Sequence, residues 1–198
     1  MVPMVGLGKA FRGSPLGGEP LNAYNLRRKK MIRDFRGKAP KIAPSAFVSE
    51  AAYIVGDVKI GENTSIWPGA VVRGDFGEIR IGQNTSLEDN CVVHAGTDVT
   101  IGNDVIIGHG AVVHGRSIGN NVLVGNNATI LDDSEIGDAC VIGAGSVVTP
   151  GTKIPDNSLA MGSPARVKGR ISSEELARLK EGSALYASLA QEYKRQGL

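Results

Sequence analysis

A six-residue spacing of aliphatic side chains constrains this chain more than any other feature. The series runs Ile42, Val48, Ile54, Ile60, Ile66, Val72. It resumes after three extra residues at Ile81, Leu87, Val93, and after two extra residues at Ile101, Ile107, Val113. It then continues, one residue early, at Ile118, Val124, Ile130, Ile136, Ile142, Val148, Ile154. The next residue is often glycine, as in IGENTS, IGQNTS and IGNDVI. A self-similar period of this kind is read before single elements. The fifth position of each hexad is small or slender: Thr64, Ala70, Thr85, Cys91, Val105, Ala111, Val122, Ala128, Ser134, Cys140, Ser146. In a short strand, residues two apart face the same way, so positions five and one both point inward and position two points out. Cys91 and Cys140 are therefore read as core residues.

Such hexads wind into a triangular parallel β-helix, three to a coil, with coils about 4.8 Å apart. The first face carries Ile42, Ile60, Ile81, Ile101, Ile118, Ile136 and Ile154; the second Val48, Ile66, Leu87, Ile107, Val124 and Ile142; the third Ile54, Val72, Val93, Val113, Ile130 and Val148. The 27 glycines and the aromatic content of 5% suit tight turns around slender layers. A length of 198 residues suits one such domain plus appendages. The net charge of +2 gives no reason to expect nucleic acid or a membrane surface as partner. No apolar run approaches the roughly 20 residues needed to span a bilayer. The two cysteines form no CxxC pair, which fits a reducing cytoplasm.

Residues 1–30, with five glycines and three prolines, read as a flexible basic leader. The β-helix is expected over 31–168 and an α-helix over 169–198. Gly162 to Arg166 reads as a turn leaving the last coil. Ser172 with Glu175 forms a capping box, opening a helix from about Ser173 to Arg195. Its apolar positions are Leu176, Leu179, Leu185, Leu189 and Tyr193, with Gly182 as a point of breakage or bending. Packed along a side of the β-helix, this tail would cover an end or flank of the solenoid.

All three breaks in the period follow a third-face hexad, so they stack at one corner. A regular scaffold that departs from its rule at one locus points to function. All three histidines of the chain, His94, His109 and His114, lie in the same stretch. His94 and His114 both occupy position two of a third-face hexad and are 20 residues apart, an 18-residue coil plus the two-residue insertion. Both project outward, stacked about 4.8 Å apart at the backbone, a spacing at which two imidazoles can share a metal ion. Arg73 holds the same position one coil earlier. His109 stands at position three of a second-face hexad, with Asp89 in register one coil before it. If all three bind one metal, a neighbour related by a threefold axis must present its His109 to the corner, making the protein a homotrimer. Three imidazoles with an open fourth position are a catalytic zinc arrangement, although iron or cobalt would also bind imidazoles.

Arg73-Gly74-Asp75, Asp89 followed five residues later by His94, and His109 followed by His114 resemble the gamma-class carbonic anhydrase family and its hexapeptide-repeat relatives. The resemblance spans about Met31 to the C-terminus. It implies a left-handed winding and zinc ligands His94 and His114 from one subunit with His109 from the next. It also implies an ion pair between Arg73 and Asp89 across the interface, with Asp75 in the polar network beside the metal. The implied activity is reversible hydration of carbon dioxide to bicarbonate, with metal-activated hydroxide as nucleophile. The chain departs from the family in several places. Glu88 stands where a glutamine is usual and would hydrogen-bond the activated hydroxide or alter its basicity. Phe76 replaces a glutamate, and only Ala95 to Thr100 occupy the place of a long acidic proton-shuttle loop. Tyr186 matches a family tyrosine near the active site, and Ser188 stands where an asparagine helps hold carbon dioxide. The rival readings are a hexapeptide acyltransferase using acetyl-CoA, an acyl-CoA thioesterase, and a metal-binding scaffold with little catalysis.

Overall fold

The computed structural model describes residues 31–198; the leader reading lies outside the described residues. The chain is a parallel β-solenoid of about seven turns with one C-terminal helix. Its rungs follow the aliphatic register. Ile42, Ile60, Ile81, Ile101, Ile118, Ile136 and Ile154 stack in one column. Val48, Ile66, Leu87, Ile107, Val124 and Ile142 form the second, and Ile54, Val72, Val93, Val113, Ile130 and Val148 the third. Almost all of these side chains are buried, as are the position-five residues between them.

The stacks extend one rung beyond the hexads at each end. Met31–Arg33 pairs with Tyr53–Val55, seating Ile32 against Ile54. Ser158–Gly162 pairs with Val141–Ile142, which puts Ala160 above Ile142. The chain does not simply turn away at Gly162: Ala165–Arg170 folds back antiparallel on Ser158–Gly162, with a cis peptide bond at Ser163–Pro164.

The corners divide their work between two positions. The turn between the first and second faces is made at position four by Asn63, Asn84, Asp104, Asn121, Ala139 and Asn157, all left-handed with φ between +53° and +60°. Asn and Asp tolerate this region because their short polar side chains bond locally. The glycine at position two has a different function. A Cβ on Gly61, Gly82 or Gly102 would lie within about 2.6 Å of the backbone of the next coil, so glycine there permits close stacking.

The helix spans Ser173–Gln196 without interruption and lies along the second face, against Phe47–Val48, Ser65–Ile66 and Ser86–Leu87. Ser172 accepts the Glu175 N–H while the Glu175 carboxylate accepts the Ser172 N–H, and Gly197 closes the other end in left-handed geometry. Acids in the first turn and bases in the last complement the helix dipole. Gly182 does not break it: a Cβ there would sit 3.1 Å from Ile106 Cδ1, so the glycine lets the helix lie close to the sheet.

The docking face differs from the leucine stripe. Leu179, Ser183 and Ala190 are the buried positions, whereas Leu185 is 68% exposed and Leu189 is also exposed. Their anchor is Trp67, buried on the second face with its indole N–H shared between Ser65 and Ser86 hydroxyls at 3.0 and 2.9 Å. Phe47, Tyr186 and Tyr193 pack around that ring at centroid distances of 5.2, 6.1 and 5.1 Å. Aromatic pairs of this kind contribute about 0.5–1.5 kcal/mol each beyond buried area. Small residues at 183 and 190 leave room for the aromatic box, which is why they are the buried positions.

Both cysteines are fully buried inside the stacks. Cys91 Sγ lies 3.1 Å from the Gly108 carbonyl, and burial pushes its thiol up to about 12. Burial also raises Cys140. At pH 8 both are neutral thiols without solvent access. The native protein is expected to leave a disulfide reagent unreacted at that pH, with both cysteines titrating after unfolding in guanidinium. Fast reaction of the folded protein would contradict this core.

Candidate metal centre

The corner after the third face is where strand register is interrupted, and the structure shows how the interruptions are absorbed. The strand Val71–Ile81 runs through the corner, with Gly56 opposite Gly74 and Val58 opposite Ile79, so that Asp75, Phe76 and Gly77 bulge outward. The insertion after His94 stacks against it. Asp98 accepts the Glu78 N–H at 2.8 Å, and a Cβ on Gly77 would meet the Thr97 carbonyl carbon at 2.4 Å. The shortened corner after His114 closes on Gly115, where a Cβ would meet Ser134 Oγ at 2.7 Å.

Val72, Val93 and Val113 pair directly, which places Arg73, His94 and His114 in one outward column. The rings of His94 and His114 have centroids 5.3 Å apart. Asp75 bonds both its neighbours: one oxygen lies 3.0 Å from His94 Nε2 and the other takes the Arg73 guanidinium. Burial works to raise the Asp75 carboxyl, but hydrogen bonds from Arg73 and His94 outweigh it and hold it below the usual carboxylate range. His114 Nδ1 lies 3.1 Å from Asp132. Phe76 covers one side of His94 at a centroid distance of 5.7 Å and is itself 70% exposed.

His109 stands apart, on the second face. Its Nδ1 lies 3.1 Å from Asp89, and its Nε2 lies 3.2 Å from Glu88. Glu88 also accepts the His109 backbone N–H at 3.0 Å. Glu88 is buried rather than solvent-facing, because the helix lies over it. Burial, then the nearby Glu88 carboxylate, pushes the Tyr186 hydroxyl up to about 12. Ser188 is exposed on the helix. Among the described residues of one chain, no three His, Cys, Asp or Glu side chains come together as a metal-holding group.

The donor chemistry nevertheless suits a metal. His94 engages Asp75 through Nε2, leaving Nδ1, and His114 engages Asp132 through Nδ1, leaving Nε2. A ligating imidazole characteristically gives its other nitrogen to a carboxylate, which fixes its tautomer and orientation. One chain thus offers two oriented imidazoles at one corner, each with a nitrogen to spare; the third, on a different face, has both ring nitrogens against carboxylates.

Known proteins bear on this geometry. The profile described as "Bacterial transferase hexapeptide (six repeats)" matches residues 39–74 and 117–150, and "Hexapeptide repeat of succinyl-transferase" matches 79–100 and 98–132. A protein named "Probable carbonic anhydrase" from Methanocaldococcus jannaschii is 46% identical over 152 residues, 76% of this chain and 96% of that one. "Gamma carbonic anhydrase 1, mitochondrial" from Arabidopsis thaliana is 33% identical over 193 residues, covering 90% of this chain and 68% of that one. The chain belongs to the gamma-class carbonic anhydrase family. Not every match within this family is long: a "Carbonic anhydrase" from Geobacillus kaustophilus is 44% identical over 64 residues, 35% of its own length. Solved structures give the same fold for this gamma-class chain. A putative acetyltransferase from Bacillus cereus has a TM-score of 0.82 at 38% identity, over 84% of this chain and 98% of that one. A hexapeptide transferase family protein from Anaplasma phagocytophilum has a TM-score of 0.80 at 35% identity, over 83% and 98%.

Asp132 is the site neighbour that sequence reasoning missed. It lies one coil beyond His114, on the outward stretch after Ile130, and that register is the signal that could have found it. Trp67 was also missed: it shares the outward column of Glu88 and carries the ring on which Tyr186 rests.

Asp75→Asn should leave the fold intact, because the side chain lies outside the stacks. Outer partners of ligating histidines are worth about 10–100-fold in metal affinity. A loss in that range, measured by zinc competition against a chelating dye, is the expected outcome; unchanged affinity would remove Asp75 from the centre.

Proposed function

We propose that this chain is a metal-dependent enzyme for the reversible hydration of carbon dioxide, with each centre completed between two copies of a homotrimer. The observation that carries the reading is the division of the histidines. His94 and His114 are paired in register at one corner, while His109 is held on another face by Glu88 and Asp89. Neither set alone is a ligand sphere; a second copy related by a threefold axis supplies what the first lacks. Membership of the gamma-class family supports the same assignment.

The residues of the chain divide the remaining tasks. His94, His109 and His114 would hold the metal, and zinc suits three imidazoles. When bound, zinc supplies Lewis acidity that makes hydroxide available near neutral pH. Asp75 and Asp132 orient His94 and His114. Phe76 gives the corner an apolar wall suited to an uncharged gas molecule. Arg73 is the link between copies. Its pair with Asp75 is 43% exposed on the arginine side, and such surface pairs are worth at most about 1 kcal/mol. That is weak enough for Arg73 to take the Asp89 of a neighbouring copy when the trimer forms. Asp89, at 42% side-chain exposure, is accessible to it.

Acyl transfer is the second reading, favoured by the likeness to solved structures described as transferases. An acyltransferase has no use for three histidines that each carry a carboxylate partner, so the hydratase reading ranks first.

Metal analysis coupled to stopped-flow carbon dioxide hydration tests the proposal, with coenzyme A binding followed in parallel. Metal-loaded protein without hydration activity would reject it, and coenzyme A binding without bound metal would establish the rival. The division between copies has its own test. A His109→Ala chain and a His94→Ala/His114→Ala chain should each be inactive alone. Refolded together, they should regain activity and metal, because the intact corner of one meets the intact His109 of the other. No recovery in confirmed mixed trimers would place the three histidines otherwise.

A further inference from the structure

We infer that the cleft between the Phe35–Lys38 hairpin and the corner bulge is a site for a small planar oxyanion, with Arg36 as its cation and bicarbonate as its occupant. The identity of the anion rests on the hydratase reading; the site itself rests on the hairpin.

Phe35 and Lys38 exchange two backbone hydrogen bonds, at 2.9 Å from the Phe35 N–H and 3.0 Å from the Lys38 N–H. Between them, Arg36 and Gly37 are both left-handed, at φ +52° and +77°. A two-residue hairpin of this type requires positive φ at both central residues, and Asn-Gly or Asp-Gly is its usual sequence. Of the ten non-glycine residues at positive φ among the described residues, eight are Asn or Asp and one is Ala139. Arg36 is the exception. It lacks the short polar side chain that makes this region tolerable by bonding locally. A residue held in a sparsely populated region points to a use for its side chain.

That side chain lines a cleft of about 200 Å³ shared with Phe35, Lys38, Asp57, Asp75 and Phe76. The space suits a small anion with a few waters, each of which occupies about 30 Å³ in the liquid. Both acids in the cleft already have cations of their own. Asp57 lies 2.6 Å from Lys38 Nζ, and Asp75 takes Arg73 and His94. Arg36 has no carboxylate partner among the described residues; its guanidinium lies over the Phe35 ring, 4.9 Å from the centroid. Contact with a ring engages the face of a guanidinium and leaves the N–H donors of its edge for another partner, in the fork that matches a planar carboxylate. Bicarbonate presents the same O–C–O edge. The cleft therefore holds one uncompensated positive charge, and it adjoins the metal corner, because Asp75 both lines the cleft and bonds His94. Carbon dioxide offers no charge to Arg36, so the site separates product from substrate and gives the departing anion a first stop beside the corner.

The test titrates 15N-labelled protein, as purified, with sodium bicarbonate and separately with sodium chloride at matched ionic strength. Four chains are compared: unmodified, Arg36→Asn, Arg36→Lys and Arg80→Asn. Asparagine suits the left-handed turn, so Arg36→Asn removes the cation and keeps the hairpin. Arg36→Lys keeps the charge without the fork, and Arg80→Asn removes an exposed arginine outside the cleft. Bicarbonate should shift the Arg36 Nε–H and Gly77 N–H signals saturably, and chloride should not. Followed at Gly77, bicarbonate should bind about fivefold more weakly to Arg36→Asn, the size of one exposed ion pair. Arg36→Lys should fall between, and Arg80→Asn should stay within about twofold, as for a surface charge without a role. Shifts that chloride reproduces, or equal affinities in Arg36→Asn and Arg80→Asn, would overturn the site and leave the hydratase reading standing. Saturable shifts that depend on Arg36, in metal-loaded protein that hydrates no carbon dioxide, would keep the anion site and reject the hydratase reading. In an active enzyme, kcat/KM for carbon dioxide should be unchanged in Arg36→Asn; a fall matching the loss of bicarbonate affinity would place Arg36 in the reaction itself and overturn its assignment to the anion.

Discussion

Everything in this structure depends on aliphatic side chains stacking directly above one another at the three inner columns. Most rungs are only two or three residues long, too short to hold themselves in place, so register comes from the contact of like with like: Ile on Ile in the first column, Val on Val in much of the third. Because an inward residue is followed by an outward one, a one-residue slip would expose the core and bury the polar rim. The solenoid therefore tolerates insertions and deletions only at corners, where the extra chain bulges away before the next aliphatic residue is seated. All three irregularities obey this. They alter the outline of one corner while leaving the columns on both sides in register.

That constraint is what places the histidines. His94 and His114 are neighbours in space because Val93 sits on Val113, and each histidine is the next residue along. Arg73 joins their column for the same reason, one coil earlier. No local feature of either histidine predicts the 5.3 Å between their rings; the packing of the residues before them does. His109 obeys the same rule from a different face, following Gly108 on the rung of Ile107, and so lies beside Glu88 and Asp89 rather than beside the other two histidines. The division of the histidines between two faces is a product of the repeat.

How much was legible in the sequence follows from the same physics. The three columns, the outward direction of position two, and the pairing of His94 with His114 are consequences of periodicity alone. Ile32 and Ala160 were not legible as rungs, since each lies beyond the aliphatic series and is recruited only because a stack end offers a surface. The docking face of the helix was misread for a reason of shape. Leu185 and Leu189 are the apolar choices, but the surface they would meet is occupied by Trp67, so Ser183 and Ala190 face inward and the leucines turn out. Burial of Glu88 was invisible for the same reason, being imposed by a segment nearly a hundred residues later in the chain.

The departures of this chain from its family then take on a physical meaning. An amide replaced by a carboxylate would be destabilising in a buried place if nothing else changed, because an ionised group needs more donors than an amide does. Glu88 draws its donors from His109, a backbone N–H and an imidazole. Those donors raise the cost of displacing the carboxylate, since moving it would strand a buried charge. A long acidic loop and a fixed buried acid are different ways of placing negative charge near the histidines. The first allows the charge to move with the proton; the second holds it still beside His109. With a corner loop as short as Ala95 to Thr100, this chain has only the second available, in the buried Glu88.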